Sequence, residues 1–136
     1  MKLRYQDLID ASYEDLYIVK SIVTSELSEQ LADVLNVKVY NVLTGFKYIS
    51  EILNDKSHSK EKLLLAFEES NGYMAKPFVR DKDAIQIVPL IIKYKNLLYA
   101  NNITLKDTLD DIYRIIGHYH SINLSPVFEG AEGQHK

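Results

Sequence analysis

Two polar clusters lie one short loop apart in this chain: Glu68, Glu69, Ser70 and Asn71 within Phe67–Tyr73, and Arg80, Asp81, Lys82 and Asp83 within Val79–Ala84. Carboxylates, a hydroxyl and an amide can exchange hydrogen bonds with a polyol. Arg80 and Lys82 can neutralise a phosphate, so the chemistry points to a sugar phosphate. Residue types and spacing alone fit many solvated loops, and the position of these residues in the fold adds the weight. Leu63–Phe67 reads as a short buried strand and Asp83 as the N-cap of a long apolar helix. The polar residues therefore fall in a strand-to-helix loop, where ligands sit in α/β proteins.

The elements that must position this loop follow from the apolar pattern. Residues 4–15 mix Leu8, Ile9 and Tyr13 with charges and predict a short helix. Leu16–Val23 reads as a strand apolar enough to be buried on both faces, followed by a helix with Thr24 or Ser25 as cap and Asn36 as stop. Val37–Leu43 predicts a second strand, and Thr44-Gly45 turns the chain into a helix bearing Phe46, Ile49, Ile52 and Leu53. The polar run Asn54–Lys62 is a surface loop before the third strand. Two helices come later, Asp83 to about Ala100, with Pro89 in its first or second turn, and Leu105–Ile116, capped by Thr104 and stopped by Gly117. Near-alternate apolar residues over His118–Phe128 predict a last, edge strand. Repeated β-α units give an α/β/α layered domain with a mainly parallel sheet of about four strands, one of them an antiparallel edge strand. Three loops, Thr24-Ser25, Thr44–Lys47 and Glu68–Lys82, then converge beyond the carboxyl ends of the strands.

Composition narrows the function classes. A chain of 136 residues fits a single domain, with residues 16–128 as the α/β core and 129–136 as a tail. A net charge of −3 gives no reason to expect a nucleic-acid binder, so nucleic acid is not expected as a partner. Zero cysteines exclude disulfides and thiolate metal sites and suit the cytoplasm. The start lacks the apolar core of a secretory signal, and Ala84–Ala100 is interrupted by Gln86, Pro89, Lys93, Lys95 and Asn96, so no membrane span is expected.

Four segments in order, Val19–Ser25, Leu43–Ile49, Phe67–Tyr73 and Arg80–Ala84, closely resemble the third domain of bacterial phosphoglucomutases and phosphomannomutases, the α-D-phosphohexomutase family. The resemblance runs from about Leu16 to Gly133, with Ser21 where the family more often has Thr. It implies a parent enzyme that moves a phosphoryl group between O1 and O6 of a hexose through a hexose 1,6-bisphosphate, using a phosphoserine and Mg²⁺. By the same resemblance Glu68 and Ser70 contact the sugar hydroxyls, Thr44 and Gly45 line the pocket, and Lys82 lies near the substrate. Lys47, Asn71 and Arg80 are further candidates. The chain has no phosphoserine loop, no Asp-Gly-Asp-x-Asp-Arg metal run and no phosphate loop of a fourth domain. No catalytic residue, metal ligand or cofactor is therefore assigned within it. Its expected partners are a hexose phosphate and the other domains of a parent chain, and it is expected to be inactive by itself, with phosphoglucomutase favoured over phosphomannomutase. The alternative is a stand-alone hexose-phosphate-binding or regulatory module.

Plainer readings accompany these assignments. Arg80, Asp81 and Asp83 also fit a charged helix N-terminus, where carboxylates suit the helix dipole. Thr44 fits an N-cap, Lys47 an exposed helix residue, and Glu68-Glu69 a solvated pair. His118-x-His120 has a metal-like spacing without a third ligand and reads as solvated or packed histidine.

Overall fold

The computed structural model describes residues 15–79, 81–122 and 124. A four-stranded sheet has the order β2-β1-β3-β4, where β1 is Leu16–Ser21, β2 Lys38–Val42, β3 Lys62–Glu68 and β4 Gly72–Met74. The central strand β1 runs parallel to β2 and β3, and β4 is the antiparallel edge strand. Helices α1 (Leu27–Val34) and α2 (Phe46–Asp55) supply the crossovers, and α3 (Ile87–Tyr99) and α4 (Leu105–Ile116) follow a 3₁₀ turn at Ala84–Gln86.

The two faces of the sheet are covered by different helices. Phe46, Ile49 and Leu53 of α2 pack on Tyr17, Val19, Val42, Ala66 and Met74, whereas Ala32 of α1 and Val37 pack with Ile18, Leu65 and Phe67. One irregularity sets this phase. The β1–β3 pairing passes from Tyr17↔Leu63 to Ile18↔Leu65, so Leu64 is an extra residue in β3. Because side chains alternate, one extra residue exchanges the faces. It leaves Ala66 and Glu68 on the α2 side with Val19 and Ser21, and Leu65 and Phe67 on the α1 side with Ile18 and Lys20.

Several local expectations hold. Every residue from Tyr17 to Ser21 is buried, as expected for a strand covered on both faces. Asn36 ends α1 in the left-handed region at φ 54°, and Thr104 caps α4 in a reciprocal box with Asp107. Asp83 caps the 3₁₀ turn by accepting from Ile85 N, and Pro89 falls in the first turn of α3, where its missing N–H leaves no helical bond unmade.

Three expectations are corrected. The edge strand is Gly72–Met74, and the described residues of His118–Phe128 are not strand. The hairpin joining β3 to β4 needs only residues 69–71, with Asn71 at φ 57°, too short a turn to separate two strands by pattern. Thr44 is not an N-cap, since Gly45 occupies that position at φ 123° with no side-chain cap. Nor are Thr24 and Ser25 N-caps, because α1 starts at Leu27 with Glu26 in the capping position, although the Ser25 hydroxyl still accepts from Leu27 N at 3.2 Å. Of the helix expected over 4–15, residues 4–14 lie outside the described residues, as do Arg80 and the tail 129–136.

Candidate functional site

Register brings the polar loops to one end of the sheet. Ser21 pairs with Val42 and Lys20 with Phe67, so the three parallel strands finish level. Glu68 is the last residue of β3 rather than a loop residue, and alternation turns its side chain toward the α2 face. There the residue is 6% exposed and its carboxylate accepts a 3.0 Å hydrogen bond from Lys82 Nζ. A buried carboxylate requires such a partner, because an unpaired one would lose its hydration without compensation. The hydrogen bond to Glu68 is also the main reason the Lys82 ammonium pKa is raised, with the attraction of the same charge next.

Gly72, directly across the ladder from Glu68, makes the space for it. A Cβ on Gly72 would stand 2.6 Å from Glu68 Cγ and Oε1. Lys82 reaches the carboxylate because the segment around it is fastened back on the hairpin. Asp83 N donates to Tyr73 O at 2.7 Å, and Gln86 Oε1 accepts from Ala75 N at 3.1 Å and Lys76 N at 2.8 Å. Gln86 Nε2 in turn donates to Asp83 Oδ2 at 3.1 Å, which closes the loop on the helix start.

The second carboxylate is used differently. Glu69 Oε2 accepts from Ser21 Oγ at 2.6 Å, and Ser21 Oγ lies 2.8 Å from Thr24 Oγ1. The Ser21 hydrogen bond is the leading cause of a lowered Glu69 pKa. Ser70 is exposed, and its hydroxyl lies 3.5 Å from Glu69 Oε1, too far to be held firmly. Asn71 is exposed beside it. The turn therefore presents a hydroxyl and an amide to solvent next to the buried Glu68 and its Lys82 partner.

The remaining expected residues are less tightly joined to this centre. Thr44 and Gly45 follow the end of β2 at the same edge of the fold, with Gly45 in the left-handed region. The Lys47 ammonium lies 4.7 Å from the centroid of the Tyr48 ring on its own helix. Sequence reasoning missed Lys20 and Ser21 as components of this end. Lys20 is 1% exposed on the α1 side, where Nζ meets Glu29 Oε1 at 2.7 Å and Thr24 O at 3.0 Å. A lysine inside an otherwise apolar strand was the available signal.

Among the described residues Glu68 and Glu69 face one ammonium, Lys82, an arrangement that suits hydroxyl donors better than a doubly charged phosphate. No group of three or more His, Asp or Glu side chains among the described residues is placed to hold a metal. Glu68 and Glu69 are already engaged by Lys82 and Ser21, so these residues do not fit a Mg²⁺ site.

Comparison with known proteins decides the family. Residues 4–115 match the family model described as phosphoglucomutase/phosphomannomutase, alpha/beta/alpha domain III. The chain belongs to the phosphoglucomutase/phosphomannomutase family, as its domain III. It is 58% identical over 137 aligned positions to a phosphoglucomutase of Staphylococcus saprophyticus, covering 100% of this chain and 25% of that protein. A phosphoglucomutase of Staphylococcus aureus is 47% identical, with 88% of this chain and 21% of that protein covered. The domain III chain thus spans a quarter or less of the length of these curated relatives. In fold it is similar to the crystal structure of a candidate phosphomannomutase from Thermus thermophilus, with a TM-score of 0.62 and 19% identity, covering 85% of this chain and 24% of that one.

Proposed function

We propose that this domain III recognises the sugar of a hexose phosphate within a phosphohexomutase that interconverts hexose 1-phosphate and hexose 6-phosphate. The observation that carries the reading is the buried Glu68 carboxylate, paired with Lys82 beside the exposed Ser70 hydroxyl at the carboxyl end of a parallel sheet. Lys82 occupies Oε1 of Glu68, which among the described residues leaves Oε2 as an acceptor for a sugar hydroxyl, while Ser70 can donate or accept. Such a pair tolerates a substrate that turns over between half-reactions, because either orientation offers hydroxyls. Lys82, half-exposed, contributes the positive charge on the phosphate side. Thr44 and Gly45 line the same edge, and Lys47, Asn71 and Arg80 are further candidates. A glucose substrate is favoured by the relatives, which are named phosphoglucomutases.

Residues 1–136 are taken as one unit that is inactive alone and works in the cytoplasm. The parent enzyme would supply a phosphoserine, Mg²⁺ and hexose 1,6-bisphosphate chemistry, and domain III would contribute sugar orientation. The exposed apolar residues of α3, which lie on more than one side of the helix, support a neighbour in the same polypeptide. Val88, Leu90, Ile91, Ile92 and Leu97 are each about half exposed, and Leu98 is the one buried residue of that helix. Exposed apolar residues of this kind mark an interaction surface and count against an independent binding module. No described helix is long and apolar enough to cross a membrane.

The test is an amide-resolved NMR titration of the 136-residue chain with glucose 6-phosphate, beside a Glu68→Ala/Ser70→Ala variant. The expected result is saturable shifts at 44–45, 68–72 and 82 with a dissociation constant of about 1 mM or weaker, lost in the variant. Shifts that are absent, or equal in the variant, overturn the assignment.

A further inference from the structure

We propose that Ser21 is a positioning residue, which clamps the 69–71 turn to the first strand-to-helix loop and so fixes the direction in which Glu68 and Ser70 are presented. The inference rests on the sugar-recognition reading for its purpose, but the clamp itself can be tested apart from any sugar. Ser21 ends the central strand and is 1% exposed, on the same face of the sheet as Glu68. Its neighbours settle the proton arrangement. An ionised Glu69 can only accept, so the single Ser21 proton goes to Glu69 Oε2 at 2.6 Å. The 2.8 Å contact with Thr24 must then run the other way, with the Thr24 hydroxyl donating to Ser21. Thr24 → Ser21 → Glu69 is thus a directed chain that ends on the residue between Glu68 and Ser70.

The chain has a fixed base. Thr24 O accepts from the buried Lys20 ammonium at 3.0 Å, which is itself held by Glu29 of α1. Thr24 N also donates back to Ser21 O at 3.1 Å, closing the first loop on itself. The first loop is therefore tied to both sheet faces before it reaches the turn. Among the described residues the turn has little else to hold it: residues 69–71 are exposed, and Ser70 is only weakly tied to Glu69. Without Ser21 Oγ, Glu69 would be a solvated side chain and the turn would be fixed only by its strand ends.

Three variants test this: Ser21→Ala, Ser21→Thr, which keeps the hydroxyl, and Glu69→Ala, whose site is exposed and tolerant. In Ser21→Ala the Glu69 carboxyl should titrate at higher pH, amide exchange of 69–71 should quicken, and glucose 6-phosphate should bind about three- to tenfold more weakly. Ser21→Thr should restore all three. Ser21→Ala/Glu69→Ala should lose no more affinity than either single change, because both remove one clamp. Unchanged exchange and Glu69 titration in Ser21→Ala overturn the clamp. Additive losses in the double variant overturn it as well, by giving each residue a separate role. If the unsubstituted chain binds no glucose 6-phosphate, the sugar reading fails, and exchange and carboxyl titration still decide the clamp. Should Ser21→Ala fail to fold, Glu69→Ala must show the faster exchange and weaker binding alone.

Discussion

Replacing Gly72 by alanine should damage the domain through Glu68 and through nothing else. Gly72 does not have a positive φ, so its backbone suits an L-residue. The obstacle is the facing side chain: the new Cβ would lie 2.6 Å from Glu68 Cγ and Oε1 and 2.9 Å from Cδ. Reaching the 3.4 Å at which ordinary contact begins requires a withdrawal of about 0.8 Å. Glu68 has little room for it, being 6% exposed with Oε1 on Lys82 at 3.0 Å. A shift of that size carries the hydrogen bond out of range or forces the strands apart, and overpacking of this kind costs about 1–3 kcal/mol. In a Glu68→Ala background the obstacle is gone, and Gly→Ala should instead stabilise by about 0.4–1 kcal/mol through the unfolded chain. A double-mutant cycle in urea should therefore give a coupling of about 1.4–4 kcal/mol with unchanged m-values. If Gly72→Ala costs the same with Glu68 present or absent, the close approach is not what excludes a side chain, and the positioning role given to Gly72 is wrong.

At the opposite end of the sheet, Glu61 is held by Lys38 and by Lys56 at 2.6 Å, with Tyr40 at 3.1 Å, and hydrogen bonds from Lys38 first and Lys56 second lower its pKa from 4.5 to about 2. A folded-state pKa below the unfolded one gives stability that is present above about pH 4.5 and lost as pH falls toward 2, so Tm should drop across that window and Glu61→Gln should flatten the drop. Thr104→Ala removes the acceptor for Asp107 N at 3.1 Å and the capping box of α4, and should cost about 1 kcal/mol in urea unfolding. Asn71→Gly should be nearly neutral, whereas Asn71→Val, forced to φ 57°, should cost about 1–2 kcal/mol and lower the thermal midpoint.

The parallel core was legible because its signals are local and redundant. β1 is a nearly continuous apolar run, Asn36 and Gly117 stop helices by conformation, and Thr104 with Asp107 writes a cap into four residues. The edge strand was misplaced because Gly72–Met74 is three residues long and becomes a strand only by pairing with Ala66–Glu68. A pattern of alternation cannot report a partner, so His118–Phe128 looked the better strand. The candidate site divides in the same way. Glu68 and Lys82 were visible as residue types, but their contact across 14 positions depends on Asp83 N reaching Tyr73 O. Lys20 and Ser21 lay in a segment that carried the resemblance, but their role at the site was not legible, because a hydroxyl and an ammonium inside a strand acquire their meaning from what the next layer places over them.

Charge at the site and apolarity on the flank lead to the same requirement. Among the described residues on the α2 face of the sheet end, Glu68, Glu69 and Lys82 can orient hydroxyls, but under the proposed reading the ligand also carries a phosphate, whose charge one ammonium balances poorly. Under that reading a second body facing this edge contributes further cations. Such a body has to be held in place, and a few hydrogen bonds to a small ligand cannot do that against the entropy of association. The exposed apolar residues of α3 offer the non-directional contact area that can. The relatives, of which this chain covers 25% or less, have enough polypeptide for both tasks. Binding of a hexose phosphate should therefore be weak to domain III alone and strong only where a covered α3 and added cations occur together. Changing α3 residues such as Ile91 and Ile92 to lysine in a full-length relative should weaken substrate binding while leaving the Glu68–Lys82 pair intact.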